Sequence, residues 1–204
     1  MNVLIFLCIA FFSILAGCQK GHQKQQPISF DPNATQVVLI DADRFPESMK
    51  GIWQNEELGW IFKIDERGYL TRLQHHIGRA KLVAGKTTTI PLINNGQAIL
   101  EPGPWLVQYD GKTQTVSIEI TLKNFLYDVG GDQVKGSSRD VFIGKVPQEG
   151  QTTWTAQWIT FPKYVASTAD KSYVNYELPF EEGSEDQGDI VFEKVDIEKL
   201  KGMY

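Results

Sequence analysis

Val116-Ser117-Ile118-Glu119-Ile120-Thr121-Leu122-Lys123 decides the fold class. Val116, Ile118, Ile120 and Leu122 are apolar, and the residues between them are polar. Successive side chains of a strand point to opposite faces, so this period of two predicts a strand with one face buried. The same alternation recurs on either side. Trp60, Phe62 and Ile64 alternate around Ile61 and Lys63; Trp105, Val107 and Tyr109 repeat it; Trp154, Ala156 and Trp158 alternate with Thr153, Thr155 and Gln157.

Turn chemistry separates these runs. Asp110-Gly111 suits a two-residue hairpin, whose central positions need positive φ. Asn94-Asn95-Gly96, Glu66-Arg67-Gly68 and Gly130-Gly131-Asp132 break the chain again. Parallel pairs need long crossovers, usually helical, and no helical pattern is long enough to supply one. The helix candidates are the turn Phe45–Lys50 and the tail Val195–Lys201. The expectation is an all-β chain: a single antiparallel meander, closed as a barrel or stacked as a sandwich.

Composition narrows the function classes. The 204 residues carry a formal net charge of −5, without the basic footprint of a nucleic-acid binder and without a polybasic patch for anionic lipid. The cysteines are Cys8 and Cys18. Neither lies in the β-rich part, which therefore has no disulfide, cysteine nucleophile or thiolate metal site.

The N-terminus reads as an address. Val3–Leu15 is uncharged and apolar, about 20 Å long as a helix, short of the ~30 Å needed to span a bilayer core. Leu15-Ala16-Gly17-Cys18 follows and resembles the lipobox of bacterial lipoproteins. The resemblance implies that residues 1–17 are a signal peptide and that Cys18 becomes an acylated N-terminus. The partner there would be membrane lipid and the location the bacterial cell envelope. Gln19, rather than Asp, after the cysteine leans towards the outer membrane if the source is Gram-negative. Residues 18–33, rich in Gln and Lys, bury too little apolar surface to offset their ordering entropy and read as a flexible tether. Residues 34–204 form the β-domain.

Gly51-Ile52-Trp53 follows the turn Phe45–Lys50 and resembles the opening of the lipocalin barrel. That resemblance implies an eight-stranded barrel with Trp53 closing one end, and a basic residue near the last strand, Lys194, packing across it. The family's middle Thr-Asp-Tyr motif is not found. Gly51, Trp53 and Lys194 are accordingly structural candidates.

Residues for chemistry are few. His75-His76 is the obvious metal pair, but neighbours on a strand face opposite ways; one exposed and one half-buried histidine is the expectation. His22 lies in the tether. Asp128, Asp132, Asp140, Asp186 and Asp189 match no calcium loop and read as loop carboxylates. Gly136-Ser137-Ser138 is not a nucleophile elbow, and no Gly-rich nucleotide loop occurs. The expectation is no catalytic residue, no metal and no cofactor. Function is then binding of a small apolar or sugar ligand, or an envelope partner, by a lipid-anchored surface protein. The alternative is a structural or assembly component with a filled core; a carboxylate-dependent hydrolase comes third.

Overall fold

A computed structural model describes residues 35–76, 79–92, 95–129, 131–167, 173–177 and 185–196. The lipobox, Cys18 and the tether lie outside the described residues, as do the acidic residues 181–184 and the tail from 197 onward. Thirteen strands are described: β1 (Thr35–Ile40), β2 (Gly51–Asn55), β3 (Trp60–Ile64), β4 (Leu70–His75), β5 (Ala80–Leu82), β6 (Thr88–Pro91), β7 (Gln97–Pro102), β8 (Trp105–Asp110), β9 (Thr115–Val129), β10 (Asp132–Lys145), β11 (Thr153–Ser167), β12 (Tyr173–Glu177) and β13 (Glu185–Val195). A 3-10 turn, Glu47–Met49, occupies the first helix candidate. Of the second, Val195 ends β13 and residues 197–201 lie outside the described residues.

All thirteen strands belong to one sheet, in the order β1-β8-β9-β10-β11-β13-β2-β3-β4-β5, with β12 on β11 and β6 on β7. The last described strand pairs with the second, Lys194 opposite Trp53, and β1 at one end of the order meets β4 near the other through the Thr35 hydroxyl and the Leu70 carbonyl, so the open sheet curls as a barrel-like wrap. Strands β7 and β8 are one long strand broken at Pro102-Gly103-Pro104: both pair with β9, β8 over its first residues and β7 beyond Leu122.

Two expectations about connections are corrected. The sheet is mixed, because β1 pairs with β8 in parallel. The crossover is not a helix but the whole excursion through β2–β7, which returns the chain in the same direction. On the far side of β1, the Thr35 hydroxyl donates to the Leu70 carbonyl of β4. The Asp110-Gly111 hairpin is longer than two residues: Asp110 pairs with Thr115, and Asp110 Oδ1 accepts from the Lys112 and Thr113 amides. Gly111 is required by crowding instead, since a Cβ there would lie 2.3 Å from the Asp41 carbonyl oxygen.

Strand length divides the wrap into a tall wall and a short wall. Strands β9, β10 and β11 run for 15, 14 and 15 residues, about 50 Å at ~3.3 Å per residue. Strands β2, β3 and β4 have five, five and six residues. Where both walls are present, aromatic side chains fill the interior. Trp53, Trp60, Trp105, Trp154, Phe62, Phe142 and Phe192 are fully buried. Phe192 lies 4.8 Å from Phe62 and 5.3 Å from Trp154 between ring centroids, and Phe62 lies 5.1 Å from Phe142. Aromatic pairs at such spacings add about 0.5–1.5 kcal/mol each beyond the area they bury, which suits a core without disulfides.

Candidate functional site

The structure brings Gly51, Trp53 and Lys194 together at one end of the wrap. Trp53 is fully buried, and its Nε1 donates to the Met49 carbonyl at 2.7 Å. The Lys194 ammonium lies 5.5 Å from the Trp53 ring centroid and donates to the Ser48 carbonyl at 3.0 Å. Gly51 has φ 113°, and a Cβ there would press on the Lys194 stem at 3.1 Å. The 3-10 turn thus supplies a carbonyl to each partner, and the glycine leaves room for the lysine to cross.

At the opposite rim of the short wall sits a polar cluster. Trp60 opens β3 and His75 closes β4. His75 is fully buried and its Nε2 lies 3.7 Å from Asp140 Oδ2 on β10. Asp140 is 1 % exposed, and its Oδ1 accepts from Trp158 Nε1 at 3.0 Å. This corrects two expectations. Asp140 is a strand residue facing the interior, because β10 begins at Asp132 and every second residue from Ser138 to Phe142 points inward. The histidines do not split between faces either. His76 lies beyond the end of β4, in a turn, where strand alternation no longer applies. Its half-buried ring stacks on Trp60 at 4.8 Å and 20°, while His75 meets the same indole edge-on at 4.6 Å.

Burial, together with the charge of neighbouring His75, lowers the His76 pKa to about 4, against a smaller opposing pull from Asp140. For Asp140, burial alone would raise the pKa. The polar pull of His75 3.7 Å away, the Trp158 hydrogen bond and the charge of His76 outweigh it and hold the carboxyl below its usual range. Such a carboxylate is an acceptor that orders its neighbours; it is not poised to give up a proton near neutrality. Further up the tall wall, Tyr127 is pushed to about 12 by burial. Among the described residues, no group of three or more His, Cys, Asp and Glu side chains is placed to hold a metal ion. Asp128 accepts from Gln133 at 2.7 Å and Asp189 lies in β13.

The other face of the tall wall carries a groove of about 550 Å³. Inward Leu100, Phe125, Gly136 and Tyr164 lie side by side on β7, β9, β10 and β11, so their backbones form its floor. Two outward rows wall it: Ile99, Leu126, Lys135 and Val165 on one side, Glu101, Asn124, Ser137 and Lys163 on the other. Lys123 joins at a bulge, where β9 holds one more residue than β10 between Gly136 and Ser138. Gly136 permits the sheet to fold tightly here, as its Cβ would lie 2.0 Å from the Lys163 carbonyl oxygen. The one carboxylate of the lining, Glu101, accepts from Asn124 Nδ2 at 2.7 Å. Lys123, Lys135 and Lys163, from three strands, thus share the groove with Glu101, and Glu177 of β12 stands opposite Lys163 in register.

Sequence reasoning missed this groove. No basic patch was expected, because Lys123, Lys135 and Lys163 are far apart along the chain. The signal was present only as parity: each lysine occupies an outward position of its strand, which becomes one patch once register is known. No protein-family model, no curated protein and no solved structure matches this chain.

Proposed function

We propose that this chain is a non-catalytic binding protein of the bacterial cell envelope, lipid-anchored through Cys18, which takes its ligand or partner on the outer groove of the tall wall. The observation that carries the reading is the groove itself. Its volume of about 550 Å³ is within the ~300–1,000 Å³ typical of ligand sites, and its apolar wall is set beside a few charged groups. The interior, where a barrel ligand would sit, is occupied at its floor by fully buried Trp53, Trp154 and Phe192. The anchor rests on Leu15-Ala16-Gly17-Cys18 behind its apolar run. A hydrolase gains no support from Asp140, a lone buried carboxylate held below its usual pKa.

The filled aromatic interior also favours a second reading, a structural or assembly component of the envelope. Two measurements decide. Mass spectrometry of the membrane fraction is expected to find a mature chain beginning at acylated Cys18; a mature chain beginning elsewhere contradicts the anchor. A thermal-shift panel of small apolar, sugar and anionic ligands is expected to contain stabilisers. A panel without any contradicts small-ligand binding and leaves the structural component.

A further inference from the structure

We infer that Asn95-Gly96, between β6 and β7, is a self-modification site: the Gly96 backbone nitrogen attacks the Asn95 side-chain amide, and the turn converts to aspartate and β-linked isoaspartate. The inference goes beyond the binding role and does not rest on it.

The reaction needs a neutral side-chain amide, a next residue that does not crowd the attacking nitrogen, and room to move. The Gly96 nitrogen loses its proton to hydroxide and adds to Asn95 Cγ. The tetrahedral adduct expels Nδ2 as ammonia and leaves a five-membered succinimide. Water then opens the ring. Addition of water at Cγ gives an ordinary aspartate; addition at the backbone carbonyl leaves the chain running through the side-chain carbons, as isoaspartate.

The structure meets these requirements at Asn95. The residue is exposed, with φ 58°, a left-handed conformation that asparagine tolerates better than most residues. Among the described residues nothing bonds its side chain. The tip is tied by the Leu92 amide, which donates to the Gly96 carbonyl at 2.9 Å. Strand β6 has four residues, and among the described strands it pairs with β7 alone. Such an edge element opens at a lower cost than the whole fold, and opening lets Asn95 Cγ swing to the nitrogen.

The other turn of this kind, Asp110-Gly111, supplies the contrast. The same glycine follows, but the fold blocks both partners. The Gly111 amide donates to the Ile40 carbonyl of β1 at 2.8 Å. Asp110 Oδ1 accepts from the Thr113 and Lys112 amides, and these bonds hold its carboxyl below the usual value, so the group facing the nitrogen is an anion and a poor electrophile. Asn55 and Asn124 are blocked differently. Each precedes a residue with a bulky side chain, Glu56 or Phe125, and each Nδ2 is engaged, with the Val191 carbonyl at 2.9 Å and with Glu101 at 2.7 Å.

Isoaspartate adds a carbon to the backbone of the turn. The Leu92–Gly96 bond is then lost, next to the Pro91–Gln97 pair that begins the β6–β7 register. Ile90, which packs against the core from β6, is loosened with it.

The test holds the purified full chain in detergent for days at mildly acidic and mildly alkaline pH, and maps its peptides by mass spectrometry with fragmentation that separates aspartate from isoaspartate. The Asn95 peptide is expected to gain the hydroxyl-for-amine mass difference as a mixture of the two products, faster at alkaline pH. The peptides holding Asn55, Asn124 and Asp110 are expected to stay unchanged, and Asp110 to isomerise once the chain is unfolded in urea. Gly96 does not need a left-handed conformation, so Gly96→Ala should keep the fold and slow conversion at least about tenfold, a small addition to the barrier. Hydrogen exchange of the β6 and β7 amides is expected to quicken in the isoaspartate fraction. Conversion at Asn95 no faster than at Asn55 and Asn124, or undiminished in Gly96→Ala, would overturn the site. Isomerisation of Asp110 in the folded chain at the rate of Asn95 would overturn the selection by the fold, and unchanged exchange in β6 would overturn its loosening.

Discussion

His75 and Asp140 face each other across the interior with Nε2 and Oδ2 3.7 Å apart, the one on the last residue of β4 and the other in the middle of β10. The pair joins the rim of the short wall to the tall wall. Removing the Asp140 carboxylate leaves the buried Trp158 Nε1 without its acceptor, and a buried donor left unsatisfied typically costs about 1–3 kcal/mol. Asp140→Ala is expected to destabilise by that amount in chemical denaturation. Asp140→Asn, which can still accept from Trp158, should lose less. Equal stability of wild type and Asp140→Ala would mean the pair does not hold the walls together.

The same cluster sets an acid limit. The folded His76 titrates at about 4, against an ordinary value of about 6.5. Between those values the unfolded chain binds more protons, so stability is present above about pH 6.5 and is lost progressively as pH falls towards 4. Asp140 acts in the same sense lower down: its contribution is present above the ordinary carboxylate value and is lost as pH falls through its depressed folded value. His76→Gln is expected to flatten the upper limb of the stability–pH curve and leave the lower one. An unchanged upper limb would show that His76 is not its source.

Trp53→Ala is expected to cost about 3–5 kcal/mol, as large aromatic truncations in cores do, a sizeable part of a typical domain stability of about 5–15 kcal/mol. Lys194→Ala should cost less, through the lost stem packing over the indole and the lost bond to the Ser48 carbonyl. Comparable losses for the two variants, measured by urea denaturation, would contradict a packing role for Trp53 greater than that of its cover.

Gly136→Ala tests the fold of the tall wall. Its new Cβ would meet the Lys163 carbonyl oxygen at 2.0 Å and Tyr164 Cα at 2.7 Å, so strands β10 and β11 must part. A loss of several kcal/mol is expected, well above the few tenths usual for exposed substitutions. A variant as stable as wild type would show that the strands are not in such close approach.

How much of this was legible in the sequence follows from what each feature depends on. The β class came from the alternation at Val116–Leu122, because one buried face imposes a period of two on the residues themselves. The β1–β8 pairing was not legible, since parallel partners separated by six strands share no local signal. Asp140 was misread because Gly130 and Gly131 drew the whole segment into a loop; in the structure β10 starts at Asp132, directly after Gly131. The histidines were misread by extending strand alternation one residue too far, from His75 to His76. The groove was invisible for a different reason: its lysines converge only through register across β9, β10 and β11.

The central claim, that the protein meets its ligand on the outside of the tall wall at the membrane surface, is tested most directly by photo-crosslinking in place. A ligand from the thermal-shift panel that stabilises the domain would be prepared with a diazirine and crosslinked to the wild-type chain in its own membranes, and the modified peptides mapped. The account predicts adducts on the strand segments that wall the groove, around Lys123–Leu126, Lys135–Ser137 and Lys163–Val165. Adducts confined to Trp60 and His76 at the interior rim, or none on the groove segments, would contradict it.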